Sequence, residues 1–206
     1  MPAAKIKFCG FTRVQDVRAA VALGVDAIGL NLARGPRRID VVHAATLARL
    51  LPPFVTGVAL FVDQDEATIL DAMRLTRCTA VQLHGNEPPE LAERLRARFP
   101  LLKAFAIASA DDLARVRGYP ADAYLLDTAQ PGVAGGTGVA WDHALLAGQD
   151  LGAPLVLAGG LRPDTVGAAI ARVRPYAVDA ASGIENAPAI KDEAKMAAFI
   201  AAVRGG

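Results

Sequence analysis

Cysteine is scarce in this 206-residue chain: Cys9 and Cys78 are the only two, far apart and without a second pair. That excludes a disulfide framework and a cysteine-built zinc site. Histidine is almost as sparse. His43, His84 and His143 are scattered, and no HExxH or CxxC occurs, so no metal is expected. An excess of one charge is missing as well, with 22 basic residues interspersed among 21 acidic ones for a net charge of +1. Without a basic stripe, no nucleic-acid partner is expected. The apolar runs fall well short of the roughly 20 residues that cross a bilayer, and the N-terminus has neither a charged nor an apolar leader region, so no membrane association is expected. P-loop, nucleophile elbow and dinucleotide fingerprint are all absent. The expectation is a reduced, cytoplasmic protein that works without metal or cofactor.

What is present is apolar residue at 53%, enough for a core that needs no staples, and a length that fits one domain over residues 1–206. The chain repeats a strand-then-helix unit. Short apolar strands are expected at 5–9, 25–32, 55–62, 79–83, 101–107, 121–126, 154–158 and 176–180, each bounded by glycine, proline or a polar residue. Amphipathic helices follow them. One carries Val14, Val17 and Val21 behind a Thr12/Gln15 capping box, one carries Leu47, Leu50 and Leu51, and one runs through Ile69 and Met73. Others open at Pro88-Pro89, around Asp111 and Asp112, near Trp141, at Pro163 and at the N-cap Asp192. Nearly continuous apolar strands alternating with such helices describe a helix-covered parallel sheet, and eight units favour closure into an α/β (β/α)8 TIM barrel over an open doubly wound sheet.

In that fold the C-terminal strand ends share one mouth, where active sites lie. The residues there are Cys9, Asn31, Asp63, His84, Asp127, the pair Gly159-Gly160, and Asp179 ahead of Ser182-Gly183. The glycine-containing turns after strands seven and eight are suited to cradling a phosphate with backbone N–H groups, or are simply tight turns. Asp127, entering a glycine-rich loop, either braces that loop or exchanges a proton with a bound molecule. Cys9 is either inert packing or a base, and as a base it needs positive neighbours to lower its pKa from about 8.5. An acid at Asp127 needs its pKa raised from about 3.9. Together the two would form an acid/base pair for proton transfer on a small phosphorylated molecule. His84 could join them or be structural, His43 and His143 are read as solvated, and Cys78 is given no chemistry.

The motifs KFCGFT at 7–12, GPR at 35–37, VQLHGNE at 81–87, LLDT at 125–128, GGTG at 135–138, LAGGLRP at 157–163, and DAASGIE with PAIKD within 179–192 occur in an order that resembles the phosphoribosylanthranilate isomerase family of tryptophan biosynthesis. The resemblance implies a cofactor-free Amadori rearrangement of N-(5'-phosphoribosyl)anthranilate to 1-(2-carboxyphenylamino)-1-deoxyribulose 5-phosphate. It implies Asp127 as general acid and Cys9 as general base, Arg37 on the anthranilate carboxylate, and His84 and Asp179 near the ribose. Gly160, Ser182 and Gly183 would hold the phosphate, with Gly159 beside them. The sequence departs from the family pattern at Gly35 and Ala181, where serine is usual, and at Ala189, where glycine is usual. Two other readings remain open: a related aminoaldose-phosphate isomerase, such as the one in histidine biosynthesis, and a barrel that binds a phosphosugar without turning it over. The assembly is expected to be a monomer or a homodimer.

Overall fold

The computed structural model describes residues 3–128, 146 and 149–205. Eight parallel strands close into a barrel in chain order: β1 (Lys5–Cys9), β2 (Ala27–Asn31), β3 (Thr56–Phe61), β4 (Ala80–Leu83), β5 (Leu101–Ile107), β6 (Ala123–Thr128), β7 (Leu155–Leu157) and β8 (Ala177–Ala180). Closure comes from β8 pairing with β1, in a register that sets Lys5 beside Ala177 and Lys7 beside Asp179. Around the barrel lie α1 (Val14–Ala22), α2 (Val41–Ala48), α3 (Glu66–Thr76), α4 (Pro89–Arg96), α5 (Val166–Val173) and α6 (Glu193–Arg204).

Alternation along each strand separates two packing layers. Ile6, Phe8, Ile28, Leu30, Phe61, Val81, Leu83, Leu126, Leu157 and Val178 face outward into the main core beneath the helices. Phe8 meets Phe199 of α6 edge-on, with ring centroids 5.5 Å apart. Four phenylalanines of this layer, Phe8, Phe11, Phe61 and Phe199, are completely buried, and each such side chain contributes on the order of 1.5–3 kcal/mol. Ala104, Leu125, Val156, Ala158 and Ala177 form a second, smaller cluster inside the barrel. One strand step beyond Leu125 on the same face is Asp127, and one step beyond Ala177 is Asp179. The apolar plug therefore ends where the polar residues of the mouth begin.

Several local expectations change. The Thr12/Gln15 capping box does not form: Arg13 is the N-cap of α1 and makes no side-chain cap. The Thr12 hydroxyl donates instead to the Ala189 carbonyl at 2.8 Å, a contact between the two ends of the chain. The helix expected after β5 is a 3-10 turn, Ala110–Arg115, capped by Ser109 and Asp112. The helix expected at Pro163 begins at Val166. Strand β6 runs to Thr128, so Asp127 lies within the strand and not beyond it. The helix expected near Trp141, His143, and the GGTG motif fall outside the described residues.

A short hairpin follows β8 that the sequence did not suggest. A 3-10 turn, Ser182–Ile184, leads into β9 (Glu185–Ala187), which pairs antiparallel with β10 (Ile190–Lys191). Ala189 in its turn has φ of 67°, a left-handed conformation that costs a non-glycine residue on the order of 1–2 kcal/mol. The usual glycine at this position would avoid that cost.

Candidate active site

Cys9 ends β1 and is 8% exposed. Two residues earlier on the same face is Lys7, buried at 3%, whose Nζ pairs with Asp179 Oδ1 on the neighbouring β8 at 2.9 Å. Burial disfavours the Lys7 ammonium, but the charges of Asp179 and of a Cys9 thiolate outweigh it and raise the Lys7 pKa. At the thiol the balance runs the other way. Burial pushes the Cys9 pKa up, Lys7 opposes, Asp179 adds to the rise and Lys191 opposes, with the net shift upward. The lowered thiol that a base role would call for is not found, because desolvation outweighs two nearby ammonium groups. The thiolate is thus a minority form at neutral pH, and a correspondingly strong base when it forms.

Asp127, on β6, is also 8% exposed. Following the barrel wall from β1 to β6 by the shorter way crosses only β8 and β7. The loops of those two strands therefore lie between the thiol and the carboxyl. They are in close contact: a Cβ built on Gly183 would stand 1.9 Å from the Leu161 carbonyl oxygen, so only glycine permits this approach. Gly159 and Gly160 both have positive φ, at 90° and 67°. Ser182 lies one residue past β8, in the 3-10 turn with Gly183. The two turns singled out in the sequence are thereby brought into one place.

His84 lies just past β4, with its Nε2 3.9 Å from Asp127 Oδ2. Gln82 Nε2 is 3.0 Å from His84 Nδ1; with that amide donating, the imidazole carries its proton on Nε2, toward Asp127. Burial, then the positive charge of Lys7, lowers the His84 pKa to about 4. The ring is therefore neutral at pH 7. Because the folded value lies below the unfolded one near 6.5, the unfolded chain binds the extra proton between those pH values, and stability is lost as pH falls from about 6.5 to about 4. The full shift would correspond to about 3 kcal/mol. The 29% of the side chain that remains exposed reduces the expected loss to about 1–2 kcal/mol. Urea titrations at pH 7 and pH 4.5 should show His84→Gln losing less stability than the unmodified protein by that amount; an identical loss would contradict it.

Arg37, in the loop after β2, forms a two-pronged pair with Glu185 of β9, Nε to Oε1 at 2.8 Å and Nη2 to Oε2 at 2.6 Å. Glu185 also accepts from Lys191 Nζ at 2.7 Å. Two strand-end residues turn out to be structural. Asn31 donates to the Arg34 carbonyl and accepts from Ala33 N–H, bracing its own loop, and Asp63 accepts from Asn86 N–H at 2.6 Å. His43 is not simply solvated: its Nε2 is 2.7 Å from the Thr12 carbonyl oxygen. Cys78 is buried and unpaired with Cys9. Among the described residues, no group of His, Cys, Asp and Glu is arranged to hold a metal ion, and no helix is long and apolar enough to cross a membrane.

Sequence reasoning missed Lys7, Glu185 and Lys191. A signal existed for Lys7, a charge in the middle of an apolar barrel strand and two residues before Cys9 on the same face. Glu185 and Lys191 lie inside the DAASGIE and PAIKD motifs, but their partners are fixed only by the hairpin.

Residues 6–202 match the family model described as N-(5'phosphoribosyl)anthranilate (PRA) isomerase. The N-(5'-phosphoribosyl)anthranilate isomerase of Pseudomonas aeruginosa strain LESB58 is 48% identical over 207 residues, covering 99% of this chain and 97% of that protein. The crystal structure of phosphoribosyl anthranilate isomerase from Thermotoga maritima superposes with a TM-score of 0.93 at 36% identity, covering 98% of this chain and 100% of that one. A structure of such an isomerase in complex with reduced 1-(o-carboxyphenylamino)-1-deoxyribulose 5-phosphate gives a TM-score of 0.87 at 34% identity, with coverage of 98% and 100%.

Proposed function

The chain belongs to the N-(5'-phosphoribosyl)anthranilate isomerase family, and on that premise we propose how its own residues divide the work of the reaction. The enzyme isomerises N-(5'-phosphoribosyl)anthranilate to 1-(2-carboxyphenylamino)-1-deoxyribulose 5-phosphate in tryptophan biosynthesis. Asp127 gives its proton to the ribose ring oxygen as the C1'–O bond breaks, and the nitrogen lone pair closes an iminium at C1'. The positive nitrogen acidifies the C2' proton. The Cys9 thiolate takes that proton, and the C–H electrons form the C1'–C2' double bond while the iminium electrons return to nitrogen. The resulting enolamine tautomerises to the ketone, with a proton gained at C1' and one lost from the C2' hydroxyl. Composition is unchanged across the sequence, as an isomerisation requires, and no electron acceptor enters.

Cys9, buried and facing Lys7, has the setting of a base whose thiolate is scarce but strong. An acid must carry a proton to give, and this reading assigns that proton to Asp127, on the opposite side of the two glycine turns from Cys9. The neutral His84 beside Asp127, with Asp179 held by Lys7, borders the ribose. Gly159, Gly160, Ser182 and Gly183 receive the phosphate, and Arg37 meets the anthranilate carboxylate, a match of planar fork to carboxylate that lysine would not reproduce. The two free buried cysteines suit a reducing cytoplasm.

The observation that carries this division is the position of the contacting β7 and β8 turns between Cys9 and Asp127. A phosphate seated there leaves the sugar within reach of both. Expression of this chain in a bacterial strain that lacks its own isomerase is expected to restore growth without tryptophan. Failure to restore growth, with the protein soluble, would overturn the reading.

A further inference from the structure

Arg37 has five N–H donors arranged on two edges of a plane. Glu185 occupies the edge formed by Nε and Nη2, leaving the Nη1 and Nη2 edge as the face on which a second carboxylate can dock two-pronged. Glu185 is itself fixed. It is 8% exposed, and burial alone would push its carboxyl up, but the Arg37 hydrogen bond and the Lys191 charge outweigh this and hold it below the usual range. The Lys191 side chain is fully buried and its ammonium uses all three protons: on Glu185 Oε1 at 2.7 Å, on the Cys9 carbonyl at 2.6 Å and on the Ala181 carbonyl at 3.0 Å. One buried cation therefore ties the end of β1, the end of β8 and the carboxylate that grips Arg37. The stem of Arg37 is confined as well, since a Cβ on Gly10, which has φ of 80°, would stand 2.4 Å from Arg37 Cδ.

Two cations against one anion leave this trio with one positive charge unbalanced. We propose that Glu185, anchored by Lys191, is a positioning residue for substrate choice: by occupying one edge of the Arg37 guanidinium it aims the other at the substrate's aromatic carboxylate, so that carboxylated substrates are selected over analogues without that group. The proposal rests on the isomerase reading given above. It separates Glu185 from a merely structural ion pair, because a structural role would affect all ligands alike.

The test is calorimetric binding of two ligands, reduced 1-(o-carboxyphenylamino)-1-deoxyribulose 5-phosphate and the same molecule without the ring carboxylate. The unmodified protein is expected to prefer the carboxylated ligand by about 30- to 100-fold, the scale of a charge-assisted two-pronged contact. In Glu185→Gln that preference should fall to about 5-fold or less, while affinity for the ligand lacking the carboxylate stays within about 3-fold. A preserved preference in the variant would overturn the proposal, as would an equal loss of affinity for both ligands, which marks general damage. If Glu185→Gln does not fold, Glu185→Asp keeps the charge beside Lys191 but withdraws it by one methylene, and should show a smaller loss of preference in the same direction; an undiminished preference there would overturn the proposal equally. Failure of the unmodified protein to bind either ligand would refute the isomerase reading itself, a result distinct from all of these.

Discussion

Replacing Cys9 by alanine should lower kcat by at least about a hundredfold and by as much as about ten-thousandfold, the range for removing a positioned base. The effect should appear in the chemical step and not in folding. Cys9 ends its strand at the mouth with 8% exposure, and the substitution removes one sulfur atom from a position bordered by the polar cluster of Lys7 and Asp179. Far-UV circular dichroism should therefore be unchanged. KM should move little, because the proposed phosphate and carboxylate contacts lie on other residues. Serine at the same position should recover almost none of the loss, since a hydroxyl is far harder to ionise than a thiol. A Cys9→Ala protein with kcat within about threefold of the unmodified one would remove the thiol from the mechanism.

Asp127→Asn is expected to produce a loss of the same order, at least about a hundredfold in kcat, for a different reason. Asparagine keeps the shape of the carboxyl and its hydrogen-bonding capacity, and it leaves Leu125 and the small interior cluster beneath it untouched. What it cannot do is release a proton to the ring oxygen. The ring must then open without acid assistance, so the defect should fall on the step that precedes C2' deprotonation. His84 does not replace the missing acid. Its pKa near 4 leaves it neutral at pH 7, and a neutral imidazole is a poor proton donor to an ether oxygen. Near-normal turnover by Asp127→Asn would assign the acid to another group.

The parts of this molecule that could be read from sequence are those encoded locally. Runs such as Lys5–Cys9 and Leu101–Ile107 announce themselves by apolar residues bounded by turn signals, and both match the observed strands. Asp192 was legible as the N-cap of the last helix, and its side chain does accept from Lys195 N–H. The candidate residues Cys9, His84, Asp127 and Asp179 were found because barrel closure turns strand ends into neighbours, a consequence of topology and not of spacing. What escaped depends on pairs that only closure creates. Lys7 reaches Asp179 across β1 and β8, and Arg37 reaches Glu185 from a loop near the other end of the chain. The hairpin of β9 and β10 has strands of only 3 and 2 residues, too short for a period-2 pattern to register. The sign of the Cys9 shift was equally unreadable. It depends on whether burial or the ammonium charges dominate, and that is a matter of distance and exposure.

The acid/base mechanism is tested most directly by turnover of N-(5'-phosphoribosyl)anthranilate, followed as loss of its fluorescence, by the unmodified protein beside Cys9→Ala and Asp127→Asn at one pH. The expected result is loss proportional to enzyme concentration, without added metal or cofactor, for the unmodified protein, and rates at least about a hundredfold lower for each variant. Unchanged fluorescence with the unmodified, folded protein, or equal rates in all three, would contradict it.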